Sequence, residues 1–321
     1  MTAAYTIVTL NYLSNAKTLA DSLTAFNPDV EFYICLIGNK KDIPDITFFS
    51  AYSIIDTASS VIPEFAEMRQ RYVNFELSCA LKPFFAGVLF SNYNAESLFY
   101  FDSDILVFNS LTIARQALTQ NSIVITPHCT EVIDRNDGNQ MDLIILNYGL
   151  YNAGFFGVRR SKIAFAFIDW WKDKMKTECL VDLANGRFVD QIWLNLVPVY
   201  FNEVQVVKDL GYNMAAWNMS ERKVSIKNGC FIVNNESPLV FFHFSGYSIA
   251  APEILSKNHN TFSFQERPDV VPVFKEYSDK LKQNKIEFYA SLNSGENYNA
   301  TSVVKNKKPG LLSRIYRCLK G

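Results

Sequence analysis

Apolar positions along this chain change period several times, and each change marks an element. YTIVTL (5–10) is a short unbroken apolar run, the pattern of a strand covered on both faces. Ala16, Leu19, Ala20, Leu23 and Phe26 follow at helical spacing, and Asn27-Pro28 closes that helix. EFYICLI (31–37), ending at Gly38, and AYSIID (51–56) predict two further strands. Helical spacing over 63–72 and 76–91, the second interrupted by Pro83, leads to a strand over SLFYFD. Strands alternating with helices predict an α/β fold with a mixed, mainly parallel central sheet flanked by helices.

The second half is less regular. SIVITPH (122–128) predicts a strand running into a polar loop, EVIDRNDGNQMD, and AGFFGV (153–158) predicts another strand. A helix follows from about Ser161 to Glu178, and FVDQIWLNLVP (188–198) reads as a short helix ended by Pro198. Short strands fill 199–245, finishing in LVFFHF, and Pro268 opens a last helix with Val271, Phe274, Tyr277 and Leu281 inward. The expected organisation is a body over 1–265, a helical extension over 266–292, and a polar linker with a basic amphipathic tail over 293–321.

Composition narrows the classes. Lys+Arg (31) and Asp+Glu (32) nearly cancel over 321 residues, so a general nucleic-acid binder, which needs a basic excess, is excluded. The six cysteines (Cys35, Cys79, Cys129, Cys179, Cys230, Cys318) form no C-x-x-C pair and read as mostly buried thiols in a reducing compartment. Without a basic start, a long apolar run or an 18-residue apolar segment, a cytoplasmic enzyme is expected. The tail, with Leu311, Leu312, Ile315, Tyr316 and Leu319 near one face, reads equally as a helix packed on the body or as a peripheral contact with the anionic inner membrane.

Candidate chemistry gathers at strand ends. In FDSDILVF, Asp102 and Asp104 stand one residue apart where an apolar strand finishes. Two carboxylates are costly in a strand core, so they mark the point where the strand meets a cation, and Mg²⁺ or Mn²⁺ takes oxygen ligands of this kind. The plainer reading is a strand-end turn with capping carboxylates. Asn11-Tyr12, just past the first strand, falls at the same edge of such a sheet, where ligands bind. His243 ends LVFFHF as the aspartates end their strand; it either completes the metal site or donates one ordinary hydrogen bond. Gly246 would let backbone approach a phosphate.

Other positions stay open. Asp190-Gln191 is either a pair facing a reacting carbon or a helix cap with a surface amide. Asn152-Ala153-Gly154 is either a turn or an amide for a sugar hydroxyl or a diphosphate. Lys82, in ALKPFF, either snorkels to water or offers its charge to the diphosphate or sugar. His128, Asp134 and the rest of loop 127–142 form either an acceptor wall or a solvated loop.

Together these residues resemble the retaining GT-A glycosyltransferases of the glycogenin and lipopolysaccharide-galactosyltransferase family. FDSDILVF is similar to the family's D-x-D, YNAGFFGV to its Asn-[Ser/Ala]-Gly, VDQIWLN (Asp190, Gln191, Asn195) to its Asp-Gln-x-x-x-Asn, and HFSG to its His-x-x-Gly. The motifs occur in the family's order over about residues 5–250. FVDQIWLNLVP, GYNMAAWN and VFFHFSGY resemble more closely a set of bacterial glycosyltransferase-like chains of unassigned substrate. The resemblance implies a Rossmann-like GT-A catalytic domain that moves a hexose from a UDP-sugar to a saccharide or glycoconjugate acceptor, with retention, in cell-surface glycan synthesis. It implies Mn²⁺ or Mg²⁺ held by Asp102, Asp104 and His243. Donor contacts would come from Thr9, Asn11, Tyr12, Lys82, Asp102, Ser103, Asn152, Ala153, Gly154 and Gly246, with Asp190 and Gln191 at the reacting carbon. The alternative is a non-catalytic nucleotide-sugar or carbohydrate-binding module on the same fold. One departure is that Gly246-Tyr247-Ser248-Ile249 lacks the family's following Lys-Pro-Trp, leaving Lys82 or Arg159 to neutralise the departing phosphate.

Overall fold

A computed structural model describes residues 1–132 and 141–293. The amino-terminal half runs β1 (Thr2–Val8), α1 (Leu13–Phe26), β2 (Val30–Leu36), β3 (Ser53–Asp56), α2 (Phe65–Arg71), α3 (Asn74–Ala80), α4 (Lys82–Asn92), β4 (Ser97–Phe101), β5 (Ile105–Val107), α5 (Thr112–Gln120) and β6 (Ile123–Pro127). It continues with α6 (Met141–Tyr148), β7 (Tyr151–Arg159), α7 (Lys162–Met175), β8 (Val181–Asp182), β9 (Arg187–Phe188), α8 (Val197–Tyr200), β10 (Val204–Val206) and β11 (Met214–Ala215). Then come β12 (Val224–Lys227), β13 (Cys230–Val233), β14 (Ser237–Pro238), β15 (Phe241–His243), α9 (Val271–Gln283) and α10 (Ile286–Ala290).

Seven strands form the central sheet in the order β10-β6-β7-β4-β1-β2-β3. Only β7 runs against its neighbours, pairing antiparallel with β4 and β6 while the other pairs are parallel. The mainly parallel, helix-covered sheet therefore stands as expected, and so does its near-continuous apolar strand composition, because both faces are buried. A small sheet, β11-β15-β5, leans on the carboxyl edge of the large one and carries the segment just after Asp104 beside the end of LVFFHF.

Several elements differ from expectation for local reasons. The first strand ends at Val8, and Leu10–Tyr12 form a 3-10 turn that leads into α1. Pro198 does not end a helix: Gln191–Leu196 is a 3-10 helix, and Pro198 sits in the first turn of α8, where its missing N–H costs nothing. Helix α6 takes the last two residues of the expected polar loop, Met141 and Asp142, and the stretch to Tyr148, for which no element was expected. Val271 points outward, 43% exposed, whereas Val270, Val273, Phe274, Tyr277 and Leu281 are buried. Cys35, Cys79 and Cys179 are buried thiols, Cys129 is half-buried and Cys230 is exposed. Among the described residues no helix is long and apolar enough to cross a membrane. Asp134 and the tail from 294 onward, with Cys318, lie outside the described residues.

Candidate active site

Four strand ends meet at one edge of the sheet: the carboxyl ends of β1, β4 and β6 and the amino end of β7. Asp102 leaves β4 there. Its backbone N–H donates to Gly154 O at 2.8 Å, and Phe244 N–H donates to Asp104 O at 2.8 Å, so the D-x-D segment is pinned between β7 and the residue after β15. Asp102, Asp104 and His243 each offer one ligand atom, all within 4.8 Å of one another. His243 Nε2 lies 3.1 Å from Asp104 Oδ1 and 3.9 Å from Asp102 Oδ2. The imidazole is buried, and the two carboxylates are about one-third exposed. Burial works against a charge on His243, but the Asp104 carboxylate and its hydrogen bond outweigh it, and the ring's pKa is raised. Asp104 is held below the usual carboxylate range because His243 outweighs the burial that would raise it.

Gly154 is the floor of this cluster. A Cβ there would lie 2.5 Å from His243 Cε1, 2.7 Å from Asn152 Oδ1 and 2.9 Å from Asp102 Oδ2, so any side chain would displace the site. Gly246 has φ +77° and is hemmed in by Ser256 Oγ and Asn258 N, each within 3 Å of where a Cβ would stand. The 256–258 segment folds back on it, with Lys257 N–H donating to Gly246 O at 3.0 Å.

Beneath the D-x-D lies a buried charge network. Lys82 is 2% exposed and does not snorkel. Its Nζ is 2.9 Å from Asp190 Oδ2 and 3.3 Å from Asp102 Oδ1, and it donates to Ala153 O at 3.0 Å. Tyr100 Oη donates to Asp102 Oδ1 at 2.6 Å, and Tyr5 Oη to Lys82 O at 2.8 Å. Burial opposes the ammonium, yet Asp102 and Asp190 hold the Lys82 pKa above its ordinary value. Burial pushes the Asp190 carboxyl up while Lys82 pulls against it. Asp190 is 1% exposed and Gln191 7%, so Gln191 is no surface amide. Arg159, by contrast, ends β7 opposite Ser97, at the far edge of the sheet, and reaches Glu203 and Asn121; it cannot serve a phosphate at Asp104.

The residues at the end of β1 frame the mouth. Thr9 Oγ1 donates to Asn11 Oδ1 at 2.6 Å, and Tyr12 is 49% exposed. Burial and then the Asp104 carboxylate raise the Tyr12 phenol. On the other side, Asn152 is joined to Gln191, His128 and Asn213 by side-chain hydrogen bonds. Trp217 packs edge-on against both His128 and His243, with ring centroids 5.3 and 5.1 Å apart. Asn213, Trp217 and Tyr100 were assigned no role from sequence; Asn213 has left-handed backbone (φ 54°), a conformation asparagine favours.

Comparison with a solved structure of the galactosyltransferase LgtC, in complex with donor and acceptor sugar analogues, decides the architecture. The match covers 88% of this chain and 96% of LgtC, with a TM-score of 0.52 at 15% sequence identity. The chain has the GT-A glycosyltransferase fold. In sequence it is 25% identical to the uncharacterized protein YfnF of Bacillus subtilis (strain 168) over 291 residues, 88% of this chain and 92% of YfnF. It is 26% identical to the uncharacterized protein YfnD of the same organism over 254 residues, 76% of this chain and 77% of YfnD. No protein-family model matches. The sheet edge bearing Asp102, Asp104 and His243 is the carboxyl edge of the central sheet, where open α/β sheets bind ligands.

Proposed function

We propose that the protein is a metal-dependent glycosyltransferase that transfers a hexose from a nucleotide diphosphate sugar, a UDP-sugar, to a saccharide or glycoconjugate acceptor with retention. The reading rests on Asp102, Asp104 and His243, 141 residues apart in sequence at the extremes, converging at the carboxyl edge of a GT-A sheet. Two carboxylates and an imidazole suit Mn²⁺ or Mg²⁺, and the missing side chain of Gly154 lets them come together. A divalent ion bound there supplies Lewis-acid compensation for charge on a departing diphosphate.

The chain's own groups then divide the work. Thr9, Asn11 and Tyr12, at the mouth, face the nucleoside, and Ser103 and Gly246 lie where backbone meets the diphosphate. Lys82 is committed to Asp102, Asp190 and Ala153 O, so its charge acts through those carboxylates. Gln191 Oε1 accepts from Asn152 Nδ2 (3.0 Å) and Ala153 N (3.1 Å), which occupies both lone pairs and removes it as a nucleophile. Two routes to retention stay consistent with this. In front-side attack the acceptor hydroxyl bonds to the anomeric carbon as the C–O bond to phosphate breaks, and the leaving phosphate oxygen takes the hydroxyl proton. In the covalent route the Asp190 carboxylate bonds to that carbon as the C–O bond to the diphosphate breaks; the acceptor hydroxyl then displaces the carboxylate, and the departed phosphate oxygen takes the hydroxyl proton. The buried Asp190–Lys82 pair beside the metal cluster favours an enzyme over a non-catalytic sugar-binding module. The setting we propose is the cytoplasm, in cell-surface polysaccharide synthesis.

The test is hydrolysis and transfer with a panel of nucleotide sugars, with Mn²⁺ or with chelator. Wild type should turn over a UDP-sugar only with metal, and Asp104→Ala should lose about 100-fold or more of that rate with its circular dichroism unchanged. Full activity in Asp104→Ala, or indifference to chelation, would remove the metal site from the account.

A further inference from the structure

All four hydrogen-bonding positions of the Asn152 side chain are engaged within the protein. An asparagine side chain has two donor hydrogens and two acceptor lone pairs. Here Oδ1 accepts from Gly154 N–H at 3.0 Å and from Asn213 Nδ2 at 3.2 Å. Nδ2 donates to Gln191 Oε1 at 3.0 Å and faces His128 Nε2 at 3.3 Å. The orientation is not arbitrary. A backbone N–H can only donate, so Gly154 fixes which end of Asn152 is oxygen, and Ala153 N–H does the same for Gln191. His128 must therefore accept, which requires its Nε2 to be bare and its proton to reside on Nδ1.

We propose that His128 is a positioning residue of the active site. Its unprotonated Nε2 takes the last free hydrogen of Asn152 and locks the amide that orients Gln191 and the Gly154 backbone under the metal cluster.

The surroundings hold the ring for that task. His128 N–H donates to Leu150 O at 3.0 Å, His128 O accepts from Asn218 Nδ2 at 3.0 Å, and the ring abuts Trp217 edge-on. Nδ1 is buried without a hydrogen-bond partner, and the backbone of Leu150 and Gly149 works only partly against the burial that lowers the ring's pKa. Asn213 braces Asn152 from the other side, with a second bond to Thr126 Oγ1 at 3.1 Å.

The kinetic arm of the test rests on the glycosyltransferase reading, and the spectroscopic arm does not. In full-length protein with ¹⁵N-labelled histidine, long-range ¹H–¹⁵N correlation reports each ring's tautomer, and three histidines are few enough to assign by substitution. At pH 7 His128 should be neutral with its proton on Nδ1; a proton on Nε2, or a charged ring, overturns the proposal. For kinetics, Gln places its oxygen near the Nε2 position, Asn places it near Nδ1, and Phe has neither. His128→Gln should stay within a few-fold of wild type. His128→Asn and His128→Phe should lose about 10- to 100-fold in kcat, with the donor KM and Mn²⁺ affinity unchanged, as expected when groups lining the reacting centre lose their alignment. Equal kcat in all three folded variants overturns the proposal while leaving the transferase reading intact. A wild type with no turnover of any nucleotide sugar sinks that reading, and the tautomer still decides the role of His128.

Discussion

His128 is a base kept neutral by burial, which lowers its pKa from 6.5 to about 4. In the unfolded chain the same ring titrates near its ordinary value. Between pH 6.5 and about 4 the unfolded chain binds a proton that the folded chain refuses. Unfolding is then favoured as pH falls, and the loss is absent above pH 6.5. The depressed pKa corresponds to roughly 3 kcal/mol at the acid end of that window. His243 shifts the other way and His259 the same way, but both remain in a His128→Gln variant, so the difference between the two proteins isolates position 128. Urea unfolding from pH 7 to 4 should give a shallower acid limb for His128→Gln than for wild type. Parallel curves would mean that the ring is not buried neutral.

At the level of elements, the junction of α3 and α4 decides where a cation goes. The two helices meet at Leu81, and Pro83, in the first turn of α4, cannot donate to a continuous helix. The break lets α4 start with Lys82 directed under β4 and β7 rather than toward solvent. Removing that ammonium leaves Asp190 buried with no cation, which typically costs about 3–5 kcal/mol. Lys82→Met should therefore unfold at clearly lower urea concentration, and Lys82→Met/Asp190→Leu should recover most of the loss without activity. A Lys82→Met protein as stable as wild type would contradict the pairing. The metal-ligand candidates were legible because polar residues ending apolar runs stand out, and topology then had few ways to place strand ends apart. The destination of Lys82 was not, because ALKPFF says that a face is apolar without saying what faces the charge. Val271 was misplaced because the chain enters α9 through a 3-10 turn at Pro268–Val270, which shifts the phase of the first inward positions to Val270 and Val273. The Asn152 cluster was illegible because its partners lie 24 to 61 residues away, beyond any local period.

Over the whole molecule, the helices after residue 265 belong to the body in energetic terms. Phe244, next to His243, stacks on Tyr277 with centroids 3.9 Å apart, and Phe274 packs against Phe242 and Phe244. Asn15 Nδ2 donates to Tyr277 Oη at 3.1 Å, and Asn284 Nδ2 donates to Thr18 Oγ1 and Asp21 Oδ2, both at 3.0 Å, which fastens the extension to α1. Val270, Val273, Phe274, Tyr277, Leu281, Ile286 and Tyr289 are all buried. At roughly 1.5–3 kcal/mol for each large apolar side chain, their loss matches or exceeds the whole stability of a typical domain, about 5–15 kcal/mol. A chain ending at residue 265 should therefore fail to fold and bind no Mn²⁺. One ending at residue 293 keeps every contact named here and should fold cooperatively and bind Mn²⁺. If the 265-residue chain melted cooperatively with unchanged metal affinity, β15 would need no buttress from α9. The 293-residue chain also isolates the tail, for which we keep membrane contact as a proposal. Co-sedimentation with anionic vesicles should be lost in that chain if the basic segment is the anchor, and retained if the body binds lipid by itself.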